Sequence, residues 1–427
     1  MNKTLNNIFK GDKVIWMVFL LLCVISIVEV YSASSQLTYN GNYFGPVVKH
    51  AGLLLLGVMA MIVTMNIPCK YFKVALPFLL AISIVLLIGV YFAGAVNDGH
   101  RWISVLGIKF QPSEIGKGTM VLATAQILSS MQTDHGADKS AMKYVLAVWT
   151  MLVPFIFLEN LSTAALLSVV VFMMMIIGRV PARQLGLIMG VVMTLIVTAF
   201  AVVMLLGTDV NQEAARKAGK SKTEVLASSD KKESKGGLFH RFDTWKSRID
   251  KFLDNRELTP KDIDLDADAQ RAHANIAIVS SGIKGKGPGN SEECDHLSQA
   301  YSDFIYAIII EEMGIFGAIG VAALYIILLV RAGIIANRCA NNFPAYLAMG
   351  LALMLVTQAL FNMMVAVGLL PITGQPLPLI SKGGTSSIIN CIYLGAILSI
   401  SRTAEKRADM SVSSDRNGTL AMTQAAA

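Results

Sequence analysis

The sequence predicts an all-α polytopic membrane protein with about ten transmembrane helices, and three observations lead to that prediction. Of the 427 residues, 54% are hydrophobic and only 15% are charged, whereas soluble domains carry about 25% charged residues. The mean hydropathy is +0.58, so much of the surface must lie in lipid. The apolar residues are gathered into segments close to the roughly 20 residues that a spanning helix needs.

Ten such segments follow one another along the chain. They cover residues 14–33, 48–66, 74–95, 112–131, 143–158, 161–178, 185–207, 304–333, 344–368 and 384–401. The fifth and sixth are short, and only Glu159 and Asn160 separate them. The predicted organisation is helices 1–7 in residues 1–207, one large polar loop in 208–303, helices 8–10 in 304–401 and a polar tail in 402–427, for which the composition predicts disorder.

Lysine and arginine are distributed unevenly between alternate connections. With the N-terminus inside, the inner segments carry most of the basic residues, and the short outer segments hold only Lys49, Arg101, Lys109 and Lys382. The positive-inside rule then predicts that both termini are cytoplasmic and that the large loop is extracytoplasmic. This asymmetry explains the net charge of +7, and the large loop is nearly neutral, so no nucleic-acid surface is predicted. The five cysteines are scattered, which predicts neither a disulfide framework nor a metal site.

Two parts of the large loop have a recognisable pattern. Aromatic and aliphatic residues three or four apart over 238–253 predict an amphipathic helix on the membrane surface or against the bundle. The glycine-rich run 282–290 could wrap a phosphate through its backbone amides. A flexible turn is the more common role of such a run, and we favour it.

Charged residues within the apolar segments are stronger signals, since each costs roughly 2.5–3.5 kcal/mol at a helix centre. Glu114 and Lys117 are three residues apart, hence on one helical face and able to pair. A structural ion pair and direct substrate contact are equal alternatives for them. Glu29, Glu311 and Glu312 also need partners.

Asp303 lies where the large loop meets the eighth apolar segment. A carboxylate at this boundary is close to lipid yet hydrated, which suits a base acting on a lipid-linked substrate. Capping of the helix by Ser302 and Asp303 is the alternative, and the local pattern alone favours capping. In one continuous helix, Glu311 would lie about 12 Å below Asp303.

Three blocks of residues together resemble the SEDS family (shape, elongation, division and sporulation proteins). The first is Asn-Asp-Gly-His-Arg-Trp-Ile at 97–103 with Gln-Pro-Ser-Glu at 111–114 and Lys117, and the second is Ser-Asp-Phe-Ile-Tyr at 302–306. The third is Gly-Leu-Leu-Pro-Ile-Thr-Gly-Gln-Pro-Leu-Pro at 368–378 with the Ser- and Gly-rich residues up to 386. The order of the blocks, the ten helices and the single large loop agree, so the resemblance covers nearly the whole chain.

The resemblance implies a peptidoglycan glycosyltransferase that polymerises lipid II (an undecaprenyl-pyrophosphate-linked disaccharide peptide) at the outer face of the cytoplasmic, or inner, membrane. The run Tyr-Ser-Ala-Ser at 31–34 is closer to division members than to elongation members, which implies a place at the division septum. The implied partners are a single-pass class B transpeptidase and other division proteins. No tightly bound cofactor is expected, and a divalent cation (Mg or Mn) could accompany the pyrophosphate.

The implied chemistry assigns residues to roles. Asp303 is expected to be the general base that takes the proton of an acceptor sugar hydroxyl, in a one-step displacement that inverts the anomeric centre. Arg101, Lys117, Lys382 or a divalent cation would neutralise the pyrophosphate, and the sequence does not rank them. The segment 371–386 is expected to form a non-helical cavity wall. The expected substrate-binding or cavity residues are Arg101, Gln111, Ser113, Glu114, Lys117, Thr373, Pro376, Pro378, Ser381, Lys382, Gly383, Gly384 and Thr385.

The chain departs from the family pattern at three places. Glu159-Asn160 replaces the usual Pro-Asp, and Lys382 replaces an aromatic residue. The residues at 297–302 lack the usual glutamate and histidine, although Glu293 and His296 lie just upstream. Two other classes of protein remain open: a lipid-precursor flippase or other transporter, which shares the helices and intramembrane charges, and a scaffold for division proteins.

Overall fold

The computed structural model describes residues 10–33, 45–92, 103–105, 108–206, 269–297 and 300–404. Ten long helices and one short helix run through these ranges. They are α1 (Lys13–Ser32), α2 (Gly45–Asn66), α3 (Cys69–Phe92), α4 (Pro112–Ser130), α5 (Ala141–Glu159), α6 (Leu161–Ile177), α7 (Ala182–Leu206), the short α8 (Ala269–Ser280), α9 (Ile305–Arg338), α10 (Asn342–Ala366) and α11 (Thr385–Ala404).

Seven of the described helices are long and apolar enough to cross a membrane, and α6 is a shorter apolar helix. The chain is therefore a multi-pass membrane protein. All ten predicted segments are helices, within a few residues at most ends; the third begins earlier than predicted, at Cys69 rather than residue 74.

The connections contain little regular structure. Two short antiparallel strand pairs join β1 (Ile103–Val105) to β2 (Ile108–Phe110), and β3 (Gln132–Thr133) to β4 (Gly136–Ala137). The large loop contains α8 and a 3₁₀ turn at Glu293–Asp295, neither of which we predicted. The amphipathic helix predicted over 238–253 lies outside the described residues.

Helices α10 and α11 form the centre of the bundle. In each, 78% of the most apolar stretch is buried, compared with 17% in α3. Helix α10 packs against α4, α6 and α9, and Gly350 permits this close approach. A Cβ at Gly350 would lie 2.6 Å from Met174 Cε of α6 and 2.8 Å from Val121 Cγ1 of α4.

The junction between α5 and α6 is as predicted, with one helix ending at Glu159 and the next beginning at Leu161. The side chain of Asn160 accepts hydrogen bonds from the amides of Ser162 (3.0 Å) and Thr163 (3.4 Å). Asparagine is a favoured N-cap because its oxygen satisfies amides that have no partner within the helix. The two short segments are therefore separate helices.

The prediction of one continuous eighth helix is wrong. Helix α9 breaks at Gly314, whose φ of 66° and ψ of −164° are non-helical. The hydroxyl of Tyr306 donates to the carbonyl of Ala318 at 3.1 Å, although twelve residues of straight helix would separate them by about 18 Å. The arm 305–313 therefore folds back beside the arm 315–338, as a helical hairpin.

The glycine-rich run of the large loop fills the bend of this hairpin. The amides of Lys286 and Gly287 donate to the carbonyls of Glu311 (2.9 Å) and Glu312 (2.8 Å). Because these two amides already have acceptors, they are not available to bind a phosphate, and that interpretation of the run 282–290 is wrong for them. The run does form turns, the role that we favoured, and two of its amides are bonded to the bend.

Different residues of α1 contact the far end of the arm 305–313 and the chain beside Asp303. Glu312 accepts a hydrogen bond from Ser32, the last residue of α1. The segment beside Asp303 is instead reached by Ser26, whose hydroxyl donates to the carbonyl of Ile380 at 2.7 Å. Six residues of α1 correspond to about 9 Å, so Glu312 and Ile380 contact α1 at different heights.

The other buried glutamates for which we expected partners, Glu311 and Glu29, differ in their hydrogen bonds. Glu311 accepts from Lys286 Nζ (2.8 Å), the Ser291 hydroxyl (2.5 Å) and the Glu292 amide (3.1 Å). Glu29 is fully buried, and neither of its oxygens has a hydrogen-bond partner within the described ranges.

We predict that Gly314→Ala destabilises the protein by about 3 kcal/mol or more, because a Cβ would be both strained and obstructed. At the φ of 66°, that Cβ would lie 2.3 Å from the carbonyl oxygen of Ile283. The measurement is the thermal midpoint of the purified protein in detergent. Gly320→Ala is the matched control. Gly320 lies on the same helix, and a Cβ added to it would have no neighbouring atom within 4 Å. Equal midpoints for the two variants would contradict the hairpin.

Candidate functional site

Asp303 lies in the turn that precedes α9, which begins at Ile305 with Phe304 as its N-cap residue. Asp303 is thus one residue before the cap and does not open the helix, contrary to the expectation. Its side-chain Oδ1 accepts a hydrogen bond from the hydroxyl of Ser302 at 3.1 Å, and its backbone carbonyl accepts from Asn362 Nδ2 at 2.8 Å. The residue is half-buried, so its carboxylate remains within reach of solvent or a substrate.

The second element of the site is the non-helical connection between α10 and α11, here called the 367–384 segment. It is non-helical as expected, except that Thr385 and Ser386 already belong to α11. Leu379 has a φ of 68° although it is not a glycine, a conformation that is costly for a branched side chain. The hydroxyl of Tyr325 on α9 donates to the neighbouring carbonyl of Pro378.

The 367–384 segment lies directly against the Asp303 turn. The Ser381 hydroxyl donates to the carbonyl of Ser302 at 2.6 Å, and the Lys382 amide donates to the carbonyl of Tyr301 at 3.0 Å. A Cβ built on Gly374, whose φ is 69°, would lie 3.5 Å from Asp303 Oδ2. The fold therefore brings Ser381, Lys382 and Gly374 to Asp303. Gly374 is not among the site residues expected from the sequence.

The buried ion pair predicted from spacing is present. Lys117 Nζ lies 2.8 Å from Glu114 Oε1, and the two side chains are 1% and 3% exposed. Lys117 Nζ also donates to Gln358 Oε1 at 2.9 Å, and Gln358 Nε2 donates to the carbonyl of Pro376 at 3.0 Å. The pair is thus connected to the 367–384 segment through one side chain of α10.

The sequence analysis also missed two amide side chains of α10, Gln358 and Asn362. Asn362 Nδ2 donates to the carbonyl of Gln375 at 2.7 Å as well as to Asp303. Both amides are 1% exposed. The available signal was two amides one helical turn apart in an otherwise apolar segment, where buried polar groups need partners.

The remaining predicted residues occupy the edges of this arrangement. Gln111 precedes α4, and its Nε2 donates to the hydroxyl of Ser113 at 2.9 Å. Gly383 and Gly384 end the 367–384 segment, and Thr385 begins α11. Arg101 lies outside the described residues.

Three polar atoms in this region are buried and have no hydrogen-bond partner within the described ranges: Glu114 Oε2, Asn362 Oδ1 and Thr373 Oγ1. Buried polar atoms in proteins are nearly always satisfied by protein groups or by water. These atoms are therefore positions for water or for polar groups of a substrate.

Glu293 and His296, which lie just upstream of the missing family residues, both contact α8. His273 Nδ1 of α8 lies 2.6 Å from Glu293 Oε2, and the His273 and His296 rings stack with centroids 5.2 Å apart. These contacts attach both residues to α8. Within the described ranges, no three or more histidine, cysteine, aspartate or glutamate side chains are placed to hold a metal ion.

The fold and the site define a class: a polytopic helical membrane protein with a half-buried carboxylate against a non-helical wall inside its bundle. The model of the family described as "Cell cycle protein", which is named for FtsW, RodA and SpoVE, matches residues 12–215 and 236–406. The chain belongs to this family, which is the SEDS family that the three blocks resemble.

Curated relatives carry names of both family branches. The chain is 28% identical over 393 residues to the peptidoglycan glycosyltransferase MrdB of Escherichia coli K12, covering 91% of this chain and 93% of that protein. It is 30% identical over 416 residues to a probable peptidoglycan glycosyltransferase FtsW of Geobacter sulfurreducens, covering 94% and 98%. It is also 30% identical over 404 residues to a probable FtsW of Halomonas elongata, covering 90% of each.

Solved structures share the fold. A chain of a peptidoglycan synthase complex, described as coordinating polymerisation and crosslinking, matches with a TM-score of 0.67 at 20% identity, covering 93% of this chain and 99% of that one. The rod shape determining protein RodA of Thermus thermophilus matches with a TM-score of 0.60 at 21% identity, covering 93% and 98%. At these identities, the likeness is evidence for the fold alone.

Proposed function

We propose that this chain is a peptidoglycan glycosyltransferase that polymerises lipid II, with Asp303 as the general base. The observation that carries the proposal is the placement of the Asp303 carboxylate: half-buried, 3.5 Å from the Cβ position of Gly374, in a chain whose curated relatives are named peptidoglycan glycosyltransferases. The glycine leaves room beside the carboxylate that any other residue would fill.

The chemistry follows from what polymerisation requires. The carboxylate takes the proton of the acceptor sugar hydroxyl, and the hydroxyl oxygen attacks the anomeric carbon of the donor. A new glycosidic C–O bond forms as the bond to the lipid pyrophosphate breaks, and the pyrophosphate leaves with the electron pair. Because one displacement occurs without a protein nucleophile, the anomeric centre inverts.

Lys382 is the cation that we assign to the pyrophosphate. Lys117 is 1% exposed and bonded to Glu114 and Gln358, so its charge is already neutralised and enclosed. Lys382 follows Ser381 beside the Asp303 turn, and its Nζ lies over the Tyr301 ring at 5.1 Å from the centroid. Burial, and secondarily the charge of Lys49, lowers the pKa of Lys382. A bound polyanion would relieve both effects, because it offsets the lost hydration and the like charge.

The division branch is the cellular role that we propose, in the inner membrane with both termini cytoplasmic, at the septum and beside a class B transpeptidase. Its support is the Tyr-Ser-Ala-Ser run at 31–34 and the relatives named FtsW. An elongation role of the RodA type is the second candidate, favoured by the likeness to MrdB. Septal localisation of a tagged chain would separate the two.

Asp303→Asn is predicted to slow glycan polymerisation sharply in the purified chain supplied with lipid II, with and without the transpeptidase. The amide keeps the shape of the side chain but cannot accept the proton, and general-base catalysis contributes about 10²–10⁴-fold. Asp134→Asn is the matched control, because Asp134 is exposed in the turn between β3 and β4. Polymerisation by Asp303→Asn at the wild-type rate would refute the assignment. Transport of lipid II without polymer from the wild type would instead favour a flippase.

Lys382→Met is predicted to lower polymerisation kcat/KM by about 10–100-fold, since a charge-assisted contact to the leaving group is worth roughly 1.5–3 kcal/mol. The control is Lys284→Met, which removes an exposed lysine of the large loop. Initial rates over a series of lipid II concentrations give the comparison. An unchanged kcat/KM would transfer the role to Arg101 or to a divalent cation carried by the pyrophosphate.

A further inference from the structure

Asn362 uses both hydrogens of its side-chain amide on backbone carbonyls. An amide NH₂ group has two donors, and Asn362 Nδ2 donates one hydrogen bond to Asp303 (2.8 Å) and one to Gln375 (2.7 Å). Neither acceptor lies within a helix: Asp303 precedes α9, and Gln375 belongs to the 367–384 segment. One side chain therefore joins two irregular pieces of backbone.

Both carbonyls lie in irregular backbone, where a side-chain donor takes the place of the regular helical hydrogen bond. Buried backbone carbonyls without a partner are costly inside a membrane protein. Gln358, four residues earlier and so on the same face of α10, serves the next carbonyl at Pro376. The two amides together hold consecutive carbonyls of the 367–384 segment.

The connection has a consequence for the carboxylate. Gly374 directly precedes Gln375, and its Cβ position lies 3.5 Å from Asp303 Oδ2. Holding the carbonyls of Gln375 and Asp303 on one nitrogen therefore fixes the distance between Gly374 and the Asp303 carboxylate. The space beside the carboxylate, where an acceptor hydroxyl must fit, depends on that distance.

We infer that Asn362 is a positioning residue for the reaction: its amide clamps the Asp303 turn to the 367–384 segment and so aims the carboxylate at the acceptor hydroxyl. This inference rests on the proposed function of Asp303. Asn362 does not touch the reacting atoms itself. Its role predicts an effect on turnover with little effect on substrate binding, because a displacement of about 1 Å can reduce a rate on the order of 100-fold.

The test uses the full-length chain with its transpeptidase and lipid II, and compares Asn362→Leu with wild type. The leucine has nearly the same shape but donates nothing. We expect kcat per folded molecule to fall about 100-fold, KM to stay within about threefold, and the acidic limb of the pH–rate profile to move. Asn66→Leu is the matched control: Asn66 is exposed at the end of α2, where its Nδ2 donates to the carbonyl of Ile62 and its Oδ1 accepts from Arg402 Nη1.

A purely structural role would give a different result. Asn362→Leu would then yield less folded protein in size-exclusion chromatography, while kcat per folded molecule and the pH profile would match wild type; this result would overturn the inference. If Asn362→Leu does not fold, Asn362→Ser, which keeps one donor, decides: an intermediate kcat supports the clamp, and a wild-type kcat overturns it.

The double variant Asp303→Asn with Asn362→Leu separates this inference from the proposed function. If Asn362 acts through Asp303, the double variant is no slower than Asp303→Asn alone. A further fall in rate would show that Asn362 acts independently and would overturn the inference. A wild-type rate in Asp303→Asn alone would remove the proposed base, whereas a slow Asp303→Asn with a fully active Asn362→Leu would remove only the clamp.

Discussion

The site depends on side chains that satisfy backbone carbonyls lying outside any helix. Inside a membrane bundle, irregular backbone persists only where protein groups or water meet its hydrogen-bonding needs. Asn362, Gln358, Tyr325 and Ser26 donate to four carbonyls of the 367–384 segment, and Ser381 returns a bond to the Asp303 turn. These donors come from three helices, so the bundle as a whole sets the shape of the wall against which Asp303 is held.

The bend at Gly314, at the other end of the arm 305–313 from Asp303, also depends on a contact between two irregular stretches of backbone. A Cβ on Gly285 would lie 2.3 Å from the carbonyl oxygen of Glu312, and one on Gly314 would lie 2.3 Å from that of Ile283. Two backbones can approach this closely only through glycines. The contact lets the arm 305–313 fold back beside the arm 315–338.

The sequence predicted the helices well because they depend on local composition. Apolar length located all ten segments, and the polar pair Glu159-Asn160 correctly separated α5 from α6. The break in α9 was not predictable in this way, because glycine also occurs within helices of membrane proteins. The break requires the run 283–287, which is distant in the chain and supplies the amides that the bend needs.

The site was predicted only in part, because the sequence pattern reports local spacing but not contacts between residues that are distant in the chain. Charge spacing found the Glu114–Lys117 pair, and the family resemblance pointed to Asp303. Asn362 and Gly374 were missed because their importance comes from the carbonyl and carboxylate that they meet, across 59 and 71 residues of sequence. The sequence could not rank the cations either; only the enclosure of Lys117 distinguishes it from Lys382.

The most direct test of Asp303 as the base is a structure of the full chain with an unreactive lipid II analogue in the acceptor position. The measured quantity is the distance from the Asp303 carboxylate to the acceptor sugar hydroxyl. The account predicts a separation of about 2.6–3.2 Å, the reach of a proton-accepting hydrogen bond, with Gly374 beside the sugar. A hydroxyl bonded to another acid, with Asp303 well outside hydrogen-bond reach, would contradict it.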